Sequence, residues 1–336
     1  MINYRYRITK PKTVEKTPIL ENIKNNIIVR PKYLSICAAD QRYYFGWRDE
    51  KILEKKYPLS LIHEAVGQVV YDSTKEFSKN DFVVLVPNQG ASKINSNYIP
   101  ETKFLSSNLD GYMQEFVVTK ASQIIKINPK NNPLITYSLT ELTSVAFHAI
   151  KSVKNEICKH HKIGIWGDGS LGFILHCCIK FLFPKNEIFV FGKHNEKLNL
   201  FNNYAKKINI KDELSRKNKI DIAFECVGGK SSENAIRNII EENINPLGKI
   251  VILGVSENEI LINTRKILEK GIKIIGRSRS DLYDFKDAIN FLDKAESKDL
   301  NRIISLSLPI NSIKDIKNSF EESLNQMNKV VMEWNI

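Results

Sequence analysis

An apolar run, Ile163-Gly164-Ile165-Trp166, breaks into Gly167-Asp168-Gly169-Ser170-Leu171-Gly172, resumes as an apolar helical segment over 173–182, and is followed by a second β-rich run, Ile188-Phe189-Val190-Phe191. Few folds accommodate this order of strand, glycine turn, helix and strand. It is the unit that takes the pyrophosphate of a dinucleotide: Gly167 permits the tight turn, Gly169 lets backbone approach the anion, and Gly172 lets the helix pack on the strand. The unpaired N–H groups at the helix start, around Ser170 and Leu171, and the helix dipole both favour an anion there. Strands recur at 220–226, 249–255 and 272–276, with helices between them at 231–242 and 264–270. Alternating β and α elements predict a parallel sheet covered on both faces, a doubly wound α/β domain. Cys226 and Gly254, near the ends of two of these strands, join the cofactor-binding set.

The first 140 residues read differently. Short strand-like runs at 27–30, 65–71, 81–87 and 112–118 end in Pro, Asn, Asp or Ser, which predicts an antiparallel, partly closed β domain. The polar segment 88–110 has no periodicity and reads as a long surface loop. A helix over 141–153 leads into the glycine unit. Beyond 280 come a helix at 285–294 and strand-like ends at 302–304 and 329–332, which are expected to return to the first domain. The expected division is 1–143 with 280–336, and 144–279.

Composition narrows the function classes. Of 336 residues, 42% are hydrophobic and 26% charged, as in a soluble globular protein. No apolar run is long enough to span a bilayer, and the N-terminus lacks the apolar core of a signal peptide, so a cytoplasmic location is expected without membrane insertion. Five cysteines, Cys37, Cys158, Cys177, Cys178 and Cys226, are odd in number and unevenly spaced, which suits free thiols or metal ligands better than a disulfide framework. The net charge of +12 is spread over scattered lysines without a basic tail or a nucleic-acid-binding signature. It points away from nucleic acid and suits an anionic small-molecule substrate.

Two clusters in the first domain carry chemistry: Cys37-Ala38-Ala39-Asp40 and His63-Glu64. Thiolate, imidazole and carboxylate are the side chains that bind zinc, and a catalytic zinc takes three protein ligands with one position open. Alone, Cys37 reads as a small buried hydrophobe and His63 as a hydrogen-bonded core histidine. Together, and followed by Glu141 just ahead of the nucleotide domain, they form a candidate metal and catalytic set of Cys37, Asp40, His63 and Glu64. The second nucleotide-domain strand ends Phe191-Gly192-Lys193-His194, with Lys197 beyond and no carboxylate from the strand's end up to Glu196. Acids at that position accept the ribose hydroxyls of NAD, whereas cations suit the 2′-phosphate of NADP, so NADP(H) is the expected cofactor. Arg42 and Arg48 after the cysteine, and Arg277 and Arg279 after the last strand of the nucleotide domain, are candidates for a substrate phosphate.

On these motifs the chain resembles the zinc-dependent medium-chain dehydrogenases/reductases of the polyol branch. Within them it is most similar to the bacterial ribulose-5-phosphate reductases (ribitol-5-phosphate 2-dehydrogenases) that serve CDP-ribitol synthesis. The stretches that carry the likeness are Ser35-Ile36-Cys37-Ala38-Ala39-Asp40-Gln41-Arg42-Tyr43-Tyr44, Leu61-Ile62-His63-Glu64-Ala65-Val66-Gly67, Thr140-Glu141-Leu142-Thr143-Ser144-Val145 with His148, 164–172, and Phe224-Glu225-Cys226-Val227-Gly228-Gly229. The resemblance implies a GroES-like β domain beside a Rossmann domain, and a catalytic zinc with Cys37, His63, Glu64 and Glu141 as inner or exchangeable ligands. It further implies NADPH-dependent reduction of ribulose 5-phosphate, a homodimer, and a product passed to a cytidylyltransferase for teichoic acid or capsule.

Three departures qualify it. The cysteines of a structural zinc lobe are missing from 88–110, so one zinc is expected and no structural zinc. Ala39 replaces the hydroxyl residue that relays a proton, leaving Glu64, a zinc-bound water or a substrate hydroxyl for that role. Ile62 replaces the glycine before the histidine and reads as a change of packing only. Two other functions compete: a dehydrogenase of an unphosphorylated polyol or secondary alcohol, which has no use for the arginines, and a zinc-free NADPH-binding structural protein, which has no use for the ligand set.

Overall fold

The computed structural model describes residues 1–89, 96–212, 218–257, 259–300 and 302–336. The chain divides into two compact units, Met1–Ser144 together with Ser280–Ile336, and Val145–Arg279.

In the first unit the principal sheet runs in the order Ile124–Ile127, Phe82–Leu85, Glu64–Asp72, Ile27–Ser35, Lys329–Trp334, Ile304–Ile310, with Val117–Thr119 also pairing Ile27–Ser35. All its pairings are antiparallel except that between the last two strands. The C-terminal strand thus lies against Ile27–Ser35, with Val331 opposite Ser35. A smaller antiparallel sheet of Thr13–Leu20, Ile2–Lys10 and Leu59–Ser60 completes the unit. Alternation explains these strands: in Ile2–Lys10, Tyr6 and Ile8 are buried while Arg5 and Arg7 lie on the other face, near Asp110. The buried residues gather Tyr6, Ile8, Leu34, Tyr44, Leu61, Phe320, Met332 and Trp334 into one core. Each large apolar side chain buried this way contributes about 1.5–3 kcal/mol. Trp334 meets Tyr6 edge-on at 5.5 Å, and its indole N–H donates to the Gln114 carbonyl at 2.9 Å.

The second unit is a six-stranded parallel sheet in the order Ala205–Asn209, Glu187–Gly192, Lys162–Trp166, Ile220–Glu225, Ile244–Ile252, Lys273–Gly276. Its central strands are continuously apolar: Ile163, Ile165, Val190, Ile222, Phe224, Ile250 and Val251 are buried, as strands covered on both faces require. Helix Ser170–Leu182 buries Phe173 to Ile179 almost without interruption.

Several features depart from the sequence reading: the strand read at 302–304 is Ile304–Ile310, and the helices Ala38–Tyr44, Glu50–Lys56 and Ile313–Glu322 are absent from it. The hairpin Ile2–Lys10 and Thr13–Leu20 is absent from it, because a charged outer face interrupts the apolar signal. Of 112–118 only the end enters a strand, Val117–Thr119. Tyr112 and Met113 instead donate backbone N–H groups to Ile62 and Leu61 carbonyls. The helix at 231–242 ends as Ser231–Asn238 and continues into a π-turn, Ile239–Asn243. The segment 88–110, read as a surface loop, is one only in part where it is described: 98–101, Lys103 and Asn108 are exposed, but Asn88–Gln89 pairs with Lys103–Phe104, and Asn88, Asn97, Thr102, Phe104 and Ser106 are buried. Its residues 90–95 lie outside the described set. Its buried polar side chains find distant partners, Asn88 the Ser280 carbonyl and Ser106 the Asp40 carboxylate, so it carries no apolar periodicity to read.

Candidate metal centre and cofactor site

Cys37 is the N-cap of helix Ala38–Tyr44, and His63 directly precedes the strand Glu64–Asp72, which Glu64 opens. Ser35 and Glu64 are register partners on neighbouring strands, so the chain leaving one strand reaches Cys37 beside the start of the other. Ligand atoms of Cys37, His63 and Glu64 all lie within 4.8 Å of one another. Glu64 is fully buried, one carboxylate oxygen is paired with the Lys329 ammonium, and the other takes no hydrogen bond. An orphaned buried acceptor beside a thiol and an imidazole fits a divalent cation, which would satisfy it.

Asp40 organises this set without belonging to it. Buried on the helix one turn from Cys37, it accepts the Cys37 N–H on Oδ2 at 3.0 Å. Its Oδ1 accepts the Ile62 N–H at 3.0 Å and the Ser106 hydroxyl at 2.7 Å, and lies 3.5 Å from His63 Nδ1. Burial opposes the charge on Asp40, but His63, Ser106 and the Cys37 N–H outweigh it and lower its pKa. Burial likewise opposes charge on His63, yet Asp40 and Cys37 hold its pKa well above the usual histidine value. The Phe104 ring covers His63 at 5.1 Å.

Glu141, at the start of helix Thr140–Lys151, is buried but stands outside the three-residue cluster. Burial first, with the charges of Glu64 and Asp40, raises its carboxyl to about 7 against the opposing pull of His63 and Lys329. Lys329 opens the C-terminal strand, is buried, and also donates to the Ile36 carbonyl at 3.2 Å. Burial disfavours its charge, but Glu64, Cys37 and Glu141 raise its pKa nonetheless.

Ile62 is more than a change of packing. Its φ is +71°, in the left-handed region that costs a β-branched residue roughly 1–2 kcal/mol, and it is fully buried. Glycine suits this backbone, and the isoleucine adopts it with its N–H on Asp40 and its carbonyl accepting the Tyr112 N–H at 2.8 Å.

In the second unit, strand Lys162–Trp166 turns through 167–169 into helix Ser170–Leu182. Gly167 has φ +130°, and a Cβ there would meet Cys226 backbone at 3.0 Å. One on Gly172 would strike the Gly167 carbonyl at 2.1 Å. At Gly169 a Cβ would meet nothing within 4 Å, so the turn is open at its tip, as a pyrophosphate cradle at a helix N-terminus must be. The Cys226 N–H donates to the Trp166 carbonyl, tying the two strand ends together. Gly254 packs against Glu225 and the Gly228 N–H. The buried Glu225 carboxylate accepts N–H groups of Val227, Gly228 and Gly254 at 2.9–3.1 Å and so joins two loops at the sheet's carboxyl edge.

A carboxylate does reach the end of the second strand, contrary to the linear reading. Asp168 comes from the glycine turn, and its Oδ2 accepts the Lys193 and His194 N–H groups at 2.8 Å each, with the His194 ring nitrogen at 3.0 Å. Lys193 is exposed and Lys197 half-buried.

Residues 23–129 match the alcohol dehydrogenase GroES-like domain. Over the whole of both chains the sequence is 42% identical to ribulose-5-phosphate reductase 2 of Staphylococcus aureus, and 39% identical to ribulose-5-phosphate reductase of Streptococcus pneumoniae, of which it covers 98%. The crystal structure of S. aureus TarJ in complex with NADPH superposes over all of both chains with a TM-score of 0.89 at 38% identity.

The chain belongs to the ribulose-5-phosphate reductase family.

It is therefore an oxidoreductase with a GroES-like β domain and a Rossmann-type domain, as the motifs implied. The four candidate arginines divide between the units. Arg42 lies on the helix after Cys37, and the Arg48 guanidinium stacks over the Tyr43 ring at 4.3 Å. The Arg277 N–H donates to the Ile252 carbonyl, and Arg279 has φ +59° and is half-buried, which lowers its pKa. Sequence reasoning missed Ser106, Lys329 and Glu225. Ser106 sits in a stretch without pattern, and Lys329 is 265 residues from Glu64 in the chain. Only a lysine directly ahead of the apolar run Val330-Val331-Met332 hinted at a buried cation.

Proposed function

We propose that this reductase converts ribulose 5-phosphate to ribitol 5-phosphate with NADPH, at a zinc held by Cys37, His63 and Glu64 with Glu141 as an exchangeable ligand. The convergence of Cys37, His63 and the orphaned Glu64 oxygen carries this reading, in a chain that aligns end to end with reductases of that name. When bound, zinc polarises a ketone oxygen as a Lewis acid and NADPH carries the hydride.

The chain's residues do the rest. Asp40 Oδ1 lies 3.5 Å from His63 Nδ1, which supports the other ring nitrogen as the metal ligand. Lys329 balances the buried Glu64 charge. With Ala39 offering no hydroxyl and Glu64 held as a carboxylate by Lys329, the proton for the ketone oxygen is drawn from outside these two residues. Gly169 leaves room for the pyrophosphate, and Ser170 and Leu171 offer it helix N-terminal N–H groups. Lys193 and Lys197 attract the 2′-phosphate while Asp168 is held on backbone. Arg42, Arg48, Arg277 and Arg279 supply the cations from which the substrate phosphate takes its partners.

A homodimer suits the second unit. Lys273–Gly276 is an edge strand, and nearby Leu247, Leu261 and Leu268 are each at least 77% exposed. An unpaired edge flanked by apolar side chains is best covered by a second copy. No helix among the described residues is long and apolar enough to cross a membrane, in keeping with work in the cytoplasm, where the product would pass to a cytidylyltransferase.

Nicotinamide oxidation with ribulose 5-phosphate and with free ribulose, alongside metal analysis, tests the reading. A site that binds the phosphate loses those charge-assisted contacts with the free sugar, so kcat/KM should favour the ester strongly. Comparable values for both sugars would move the assignment to a plain polyol dehydrogenase, and active protein without stoichiometric zinc would sink the metal centre.

A further inference from the structure

Two buried side chains of the segment 88–110, Phe104 and Ser106, lie against the metal centre. Ser106 is 3% exposed and gives its hydroxyl to Asp40 Oδ1 at 2.7 Å, the same oxygen that lies 3.5 Å from His63 Nδ1. The Ser106 N–H is fixed on the Leu109 carbonyl at 2.8 Å, and Phe104, two residues earlier, covers the His63 ring. Ser106 also has φ +62°, a backbone that favours glycine and that serine adopts at a cost. A strained position that keeps a hydroxyl where glycine would sit more easily points to a use for the hydroxyl.

That use follows from the geometry of Asp40. Oδ2 is held by one donor, the Cys37 N–H. Oδ1 must face His63, and beyond the imidazole only the Ile62 N–H and the Ser106 hydroxyl hold it. Without the hydroxyl Oδ1 keeps only the Ile62 N–H among these donors, and the carboxylate edge that faces His63 Nδ1 at 3.5 Å is less firmly set. Such outer partners set both the ring orientation and the basicity of a ligating histidine.

We propose that Ser106 is a positioning residue for the metal centre, fixing Asp40 and through it the metal-binding face of His63. The inference rests on the zinc reading above. It also gives the end of the 88–110 segment a role in bracing the catalytic metal.

Two variants test it. Ser106→Gly removes the hydroxyl and relieves the backbone, and Ser106→Ala removes the hydroxyl alone. Zinc dissociation constants are measured by competition with a chromogenic chelator, and thermal unfolding is followed on the zinc-free proteins. Both variants should bind zinc roughly 10–100-fold more weakly than the unaltered protein, while zinc-free Ser106→Gly unfolds no earlier than it does. Zinc retention by Ser106→Gly equal to that of the unaltered protein would overturn the proposal. So would weakened zinc binding that merely tracks a fall in zinc-free stability, since that is the signature of a structural serine. Failure of the unaltered protein to take up zinc is a different result, overturning the zinc reading and the inference with it.

Discussion

The two units build their sites in opposite ways. In the second, the turn at 167–172 places a tight bend, an open tip and a helix start within six consecutive residues, and the work is done by backbone. In the first, Cys37, His63, Ser106 and Lys329 come from four separated stretches and meet through side chains, with Asp40 accepting three hydrogen bonds and Lys329 holding Glu64. A backbone site depends on small residues at fixed spacing and tolerates change around it. A side-chain site depends on charges buried together, and the loss of one member leaves the others uncompensated.

The largest expected effect breaks the comparison cleanly. Cys37→Ser or His63→Ala should lower kcat by a factor on the order of a thousand or more, because the metal loses a ligand. NADPH affinity, read by fluorescence titration, should stay within a few-fold, since the glycine turn belongs to the other unit. A parallel loss of NADPH binding would show that the two sites do not stand apart.

Next comes Lys329→Met. It strands the Glu64 carboxylate in the core, and removing one partner of a buried ion pair costs about 3–5 kcal/mol. Urea denaturation of the zinc-free protein measures it. Added zinc should recover part of the loss by neutralising Glu64, and a loss below about 1 kcal/mol would mean that Glu64 takes up a proton instead.

On the cofactor side, Lys193→Ala and Lys197→Ala should each weaken NADPH by roughly ten- to a hundredfold, the worth of a charge-assisted contact to phosphate, and leave NADH nearly unchanged. Equal losses for both cofactors would place the selectivity elsewhere, with the Asp168–His194 pair as the first alternative.

The smallest effect sharpens the account of Ile62. Ile62→Gly empties a buried position but relieves a left-handed backbone, so it should cost about 1–2 kcal/mol less than Ile8→Gly, an equally buried isoleucine in an ordinary strand. Denaturant midpoints of the two variants decide it, and equal costs would show that the positive φ carries no strain.

Much of this is legible in the order of residues. The glycine turn and alternating elements announce the parallel sheet, and Cys37 with His63 and Glu64 announce a metal centre by donor type alone. Asp40 reads there as a direct participant in the chemistry, whereas its lone pairs are spent on Cys37, Ile62 and Ser106. Ile62 reads as a packing change because φ is not written in a side chain. Segment 88–110 reads as solvent-facing loop because polar residues that are buried against distant partners leave no periodic signature.

The sequence by itself determined what is local: strand and helix periods, the turn that only glycines allow, and the donor atoms available to a metal. The tertiary structure alone decided which distant charges meet. Asp168 reaches the end of a strand more than twenty residues later in the chain, and Lys329 reaches Glu64 across nearly the whole of it. Periodicity is a property of neighbours along the chain and can be read there. The pairing of buried charges is decided by burial, which removes the water that would otherwise screen them and makes each depend on whichever partner the fold brings near.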